Sequence, residues 1–277
     1  MVLTSSGKIA AEIGMNGEVE MALIDYIKEG KVAIFRINRP EKMGVLNVEG
    51  MQQFTEALHD FRDDENLWVG IITGTGEKAF SAGVDIKDYL PLIRQTPDKK
   101  WQRPTAIMRG MDLWKPLIAA CNGLTIGGGL EISLACDIMI AAENAVFGLP
   151  EVKVGICPGG GGTARLPRTI PRRLAAEMLF TGKTIDAQEA YRIGLVNKVV
   201  PLDQLMTEAK KMAEQICEAS PLGVRCAKEL LVRGMSVSLD EALRLEDDIQ
   251  TYILNTEDCA EGFAAFAEKR KPQWKGK

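Results

Sequence analysis

Four stretches of this chain share one plan, and that plan limits the folds open to it. KVAIFRIN (31–38) alternates in part, is rich in β-formers and stops at Arg39-Pro40. WVGIITGTG (68–76), KPLIAACNG (115–123) and DIMIAAENAVFG (137–148) are short apolar runs that end in glycine. Each reads as a strand running into a turn. After the first comes QQFTEALHDFRDD (52–64), where Phe54, Leu58 and Phe61 recur at helical spacing. Strands alternating with helices predict an α/β fold with parallel pairing.

From about Leu202 the pattern changes. LDQLMTEAKKMAEQICEAS, GVRCAKELLVRGM and LDEALRLEDDIQTYILN carry apolar residues at helical spacing, with no strand between them. Ser220-Pro221 and Gly234 punctuate these segments. The expectation is an α/β core over residues 21–200 and a helical region over 201–277, read as three helices. Such a tail cannot bury its apolar faces alone, so it packs on its own core, on other subunits, or on both. The final run, EKRKPQWKGK, is basic and is expected to be a solvated terminus.

Composition removes several function classes. A net charge of −4 gives no basic surplus for nucleic acid. No run of 18 apolar residues exists, so no membrane span is expected. The first 20 residues lack the apolar core of a signal peptide, and Glu12, Glu18 and Glu20 argue against a transit peptide. The six cysteines contain no C-x-x-C pair, and Cys121, Cys136 and Cys157 lie in apolar surroundings. They are expected to be buried free thiols in a reducing compartment, the cytoplasm. The single histidine, His59, falls on the flank of the helical run at 52–64. A Ser-His-Asp triad and a multi-histidine metal site are therefore disfavoured, and acid–base work falls to carboxylates.

Two segments carry the chemistry. AFSAGVDIKDY (79–89) and NGLTIGGGLEISLACD (122–137) each read as a strand, a tight glycine turn and a helix start. Small residues in both turns would let backbone N–H groups point into a common space, where two donors can hold one developing oxyanion. As a dinucleotide loop the GGG run is poor, because it lacks the G-x-G-x-x-G spacing. Glu131 follows two residues after the last glycine, inside an apolar run where a carboxylate is costly to bury without a partner or a job. Glu151, after Pro150, also lies between apolar stretches. Two such carboxylates beside an oxyanion site can hold a water between them and divide acid and base roles.

FSAGVDI, NGLTIGGGLEISLACDI, FGLPEVKVGICPGGGGTARLPR, GLVNKVV and EGFAAFAEKRKP occur in that order. At these separations the set resembles the crotonase superfamily, and within it the enoyl-CoA hydratases, from about residue 24 to 275. Residues 1–20 fall outside the resemblance. It implies a spiral of repeated ββα units with a helical C-terminal region that completes trimers, often paired into hexamers. It implies an acyl-CoA thioester substrate and no cofactor beyond the coenzyme A of that substrate. The oxyanion donors it implies are the N–H groups of Val84 and Gly128, with Glu131 as base on water and Glu151 as proton donor to Cα. Val84 stands where many relatives have alanine, a change that leaves a backbone donor in place.

The resemblance also assigns coenzyme A contacts. These fall to Lys42 and Met43 in the loop 39–44, to Ala82 by its carbonyl, to the following Asp85 and Ile86, and to Lys269. Gly44 and Val45 depart from the family's frequent Asn-Ala. Residues 88–114 shape the acyl end of the pocket in the family, so Trp101, Met108 and Trp114 either line it or pack nearby. Two other readings remain open. One is a Δ3–Δ2 isomerase or a hydratase specialised for branched, cyclic or dienoyl thioesters; the other is a non-catalytic acyl-CoA-binding scaffold.

Overall fold

A computed structural model describes residues 11–13, 19–95, 107–109 and 111–277. A short hairpin pairs β1 (Ala11–Ile13) with β2 (Val19–Met21). β3 (Ile24–Glu29) and β4 (Val32–Ile37) then form an antiparallel pair, followed by α1 (Val48–Asp63).

The next three turns repeat one path. The first runs through β5 (Val69–Gly74), β6 (Ala79–Ser81) and α2 (Ile86–Gln95). The second runs through β7 (Leu117–Cys121), β8 (Leu124–Ile126) and α3 (Gly128–Leu134). The third has β9 (Ile138–Ala142), β10 (Val146–Gly148), a 3-10 turn at Pro150–Val154 and α4 (Gly162–Thr169). In each turn the first strand joins a large sheet and the second joins a small one. This is the ββα spiral that the sequence motifs implied.

α5 (Arg172–Thr181), β11 (Thr184–Asp186), α6 (Ala187–Arg192) and β12 (Lys198–Val200) finish both sheets. The large sheet has the order β12-β9-β7-β5-β4-β3, and all its pairs except β3–β4 are parallel. The small sheet has the order β11-β10-β8-β6, parallel except at β11.

A parallel strand covered on both faces reads as a continuous apolar run rather than an alternating one. β5 shows why: Ile72 enters the main core with Phe35, Phe80, Leu130 and Phe147, while Ile71 faces a second cluster on the outer side. The helical region supplies the cover for that side. α7 (Leu205–Cys217) lays Leu205, Ala209 and Ala213 against Ile71, Ile118 and Ile140.

α8 (Pro221–Gly234), α9 (Leu239–Ile253) and α10 (Glu257–Glu268) follow, so four helices stand where three were expected. The fourth was quoted only as a motif. The charged residues of the basic terminus are exposed, as expected, although its backbone is tied down. The buried Asp258 accepts from the N–H groups of Lys275 and Gly276, and Trp274 Nε1 donates to Glu218 O at 2.8 Å.

His59 is exposed on α1 while Phe54, Leu58 and Phe61 are buried, as their spacing required. All six cysteines are free; Cys121 is buried, but Cys157 is exposed. No helix among the described residues is long and apolar enough to cross a membrane.

Candidate active site

The two glycine turns meet. An added Cβ at Gly83 would lie 2.9 Å from Gly128 N, and one at Gly128 would lie 3.2 Å from Val84 Cγ2. Each residue of the GGG run has its own reason to be glycine. Gly127 has φ 56 with ψ −126, a conformation that side chains disfavour. Gly128 faces the other turn, and a Cβ at Gly129 would collide with Ser81 O, so α3 seats directly on β6. The Ser81 hydroxyl donates to Gly44 O at 2.7 Å and accepts from Gly83 N at 3.1 Å. Among the described residues neither Val84 N–H nor Gly128 N–H has a backbone acceptor. Two free donors therefore stand at the joint of the two turns.

That joint borders a cavity of about 460 Å³. Its wall includes Ala82, Val84, Ile86, Gly128, Glu131 and Glu151, with Met51, Tyr89, Met108, Ile126 and Cys157 among the further lining groups.

The two carboxylates meet different surroundings. Glu131, 5% exposed in the first turn of α3, accepts through Oε1 from Gly160 N at 2.6 Å and Gly162 N at 2.8 Å. Burial raises its pKa, opposed by those two N–H groups and by the nearby Arg109 and Arg165. The glycines are needed, since a Cβ at Gly160 would lie 2.6 Å from Glu131 Oε2. Glu151 sits in the 3-10 turn begun by Pro150, and its Oε2 is buried without a hydrogen-bond partner among the described residues. Burial, with the charge of Glu131 in support, pushes its pKa up to about 7. One carboxylate is thus held in place by two backbone donors from the glycine turn, while the other keeps its proton up to about pH 7. Paired titratable groups with separated environments are an acid–base arrangement.

Residues 27–277 match the Enoyl-CoA hydratase/isomerase family. The chain belongs to this family. It is 42% identical over 245 residues to the short-chain-enoyl-CoA hydratase of Clostridium acetobutylicum, covering 88% of this chain and 94% of that one. It is also 42% identical over 245 residues to the (E)-benzylidenesuccinyl-CoA hydratase of Thauera aromatica, covering 88% and 96%. The crystal structure of an enoyl-CoA hydratase from Bacillus anthracis aligns with a TM-score of 0.86 at 38% identity, over 92% of this chain and all of that one. The crotonase fold is shared across that length.

Against the family's pattern the remaining residues divide. Ala82 and Ile86 line the cavity, whereas Lys42, Met43, Asp85 and Lys269 are not among the residues of its wall. Asp85 stands before α2, where Oδ1 accepts from Lys87 N at 3.2 Å. Met43 O accepts from Ala82 N at 2.9 Å, which ties the loop 39–44 to the first turn. Gly44, the departure noted in that loop, has φ 66, and its Cβ would lie 2.7 Å from Phe80 O. Lys269 is the left-handed C-cap of α10, with φ 56.

Of the three acyl-end residues, Met108 lines the cavity. Trp114 does not; it stacks under Arg233 at 5.2 Å. Trp101 lies outside the described residues. Gly160 and Gly162 escaped the sequence reading, although PGGGG is a second glycine run leading into a helix, the same signal that marked GGGLE. The expectation of a buried thiol at Cys157 fails because PEVKVGIC is a rim turn: Val154 and Ile156 beside it are also exposed.

Proposed function

We propose that this chain is an enoyl-CoA hydratase, adding water reversibly and syn across the 2,3 double bond of an enoyl-CoA thioester. The observation that carries this reading is the unlike pair Glu131 and Glu151 on one cavity beside two unoccupied backbone donors. Cβ of a conjugated thioester is electrophilic. Glu131 accepts a proton from water as the water oxygen bonds to Cβ, and the displaced π electrons move to the thioester oxygen. Val84 N–H and Gly128 N–H stabilise that oxyanion, at about 3 to 4 kcal/mol per donor by the cost of removing one elsewhere. The enolate then collapses as Glu151 gives its proton to Cα on the same face. A proton passed back from Glu131 to Glu151 resets the pair. The presence of both glutamates favours water chemistry over isomerisation, in which one carboxylate is enough to shuttle a proton.

Coenzyme A arrives with the substrate, so this chemistry requires no separate cofactor. Ala82 and Ile86 are its contacts in this cavity, with Lys42, Met43 and Asp85 on the flanking loops. Lys269 is assigned to a neighbouring subunit's coenzyme phosphate. The chain forms trimers or pairs of trimers, which would cover Phe263 and Phe266, 68% and 86% exposed on α10. Light scattering that gave a stable monomer would overturn that assembly. The six free thiols suit a reducing compartment, the cytoplasm.

Loss of the conjugated enoyl absorbance tests the reaction. The panel runs from crotonyl-CoA through longer, branched, cyclic and aryl thioesters. Turnover of at least one member is expected, and silence across the panel would sink the proposal.

A further inference from the structure

The peptide group joining Gly159 to Gly160 is bonded at both ends. Its N–H donates to Glu131 Oε1 at 2.6 Å, and its carbonyl oxygen accepts from Arg109 NH2 at 2.7 Å. A guanidinium and a carboxylate therefore pull on opposite ends of one peptide dipole. Charge-assisted bonds are the strong class, and bonds in series polarise one another. Arg165 fixes the frame. Its guanidinium donates to Gly160 O at 3.2 Å and to Met108 O at 2.9 Å, bridging the glycine turn to the segment that carries Arg109. It can lie there only because Gly161 has no Cβ, which would collide with Arg165 NH1.

We propose that Arg109 is a positioning residue for Glu131, acting through the Gly159–Gly160 peptide group, with Arg165 locking that peptide to the Arg109 segment. This rests on the reading of Glu131 as the base. Arg109 holds the carboxylate in register and favours its charged form. The other charged groups facing Glu131 are Arg165 from α4, which works in the same direction, and Glu151 from the 3-10 turn, which opposes. Cys136 acts on Arg165 and so reaches Glu131 only indirectly.

Full-length R109Q and R109K test it. R109Q should lose roughly 10- to 100-fold in kcat with KM little changed, the scale expected when a catalytic group shifts by about 1 Å. The acidic limb of its kcat/KM profile should move up by about one pH unit, because the lost cation favoured the charged base. R109K, which can still donate to Gly159 O as a point charge, should recover part of both effects. Infrared titration of the Glu131 carboxyl, identified by its absence in E131Q, should show the same upward shift without depending on turnover. If R109Q does not fold, R109K decides by that titration, with a smaller shift expected. An unshifted Glu131 in every folded variant would overturn the proposal. Failure of the wild type on the substrate panel would instead remove the hydratase reading, and the infrared titration would still decide the link from Arg109 to Glu131.

Discussion

Glu131 and Glu151 face one cavity, but their carboxylates are held differently. Gly160 N–H and Gly162 N–H both bond Glu131 Oε1, whereas Glu151 Oε2 is buried with no partner among the described residues. The pair is twenty positions apart in sequence and comes from a helix start and a 3-10 turn. The difference between them is built into their surroundings rather than into the carboxylates, which are chemically the same.

The first consequence is kinetic. E131Q and E151Q should each lose about 10²- to 10⁴-fold in kcat, the usual worth of a positioned acid or base. The two should differ in pH profile. Wild-type hydration should weaken as pH rises through about 7, where Glu151 loses the proton it delivers. E151Q should lack that limb while E131Q keeps it. A near-normal rate in either variant would remove that residue from the mechanism.

Glu151 also links stability to pH. Its folded pKa, about 7, lies above the ordinary 4.5, so the folded state binds the extra proton between those values. The contribution is fully present below about 4.5 and is lost as pH rises through 7. E151Q carries no such proton. Its melting temperature should therefore exceed that of wild type at pH 8, with the gap closing toward pH 4.5. Parallel melting curves across that range would contradict the burial argument.

The glycine run makes a steric prediction. Gly129→Ala places a methyl against Ser81 O, backbone against which no side chain can yield. Overpacking of this kind costs about 1 to 3 kcal/mol, read by denaturant unfolding. Because α3 must lift from β6, Gly128 N–H should move with it, and kcat should fall as well. Unchanged stability would show that the turn has slack.

Cys157 supplies a chemical probe. Its thiol is exposed on the cavity wall. Iodoacetamide should inactivate the protein, a bound acyl-CoA should slow the loss, and C157S should be active and resistant. Equal inactivation of C157S would place the sensitive group elsewhere.

The sequence revealed the main strands because both of their faces are buried; runs such as WVGIITG have no polar side to confuse them. It revealed Glu131 because a carboxylate inside LEISLA calls for an explanation. Strand β3 escaped, although Ile24 and Tyr26 are buried in alternation and Gly30 follows it, because it is a single edge strand whose last two residues, Lys28 and Glu29, are charged and exposed. β11 and β12, with three residues each, are too short to show a period. The donors to Glu131 were hidden for a different reason. A backbone N–H has no sequence identity, and the contact spans 29 and 31 positions. Arg109 was invisible on the same ground, since it reaches Glu131 only through a peptide group.

The most direct test of the account runs the wild-type reaction on an accepted enoyl-CoA in deuterium oxide and reads the product by NMR. The expected product is a 3-hydroxyacyl thioester with one deuteron at C2, on the same face as the new hydroxyl. Deuterium at C4 with a displaced double bond and no hydroxyl, or a deuteron on the opposite face, would contradict it.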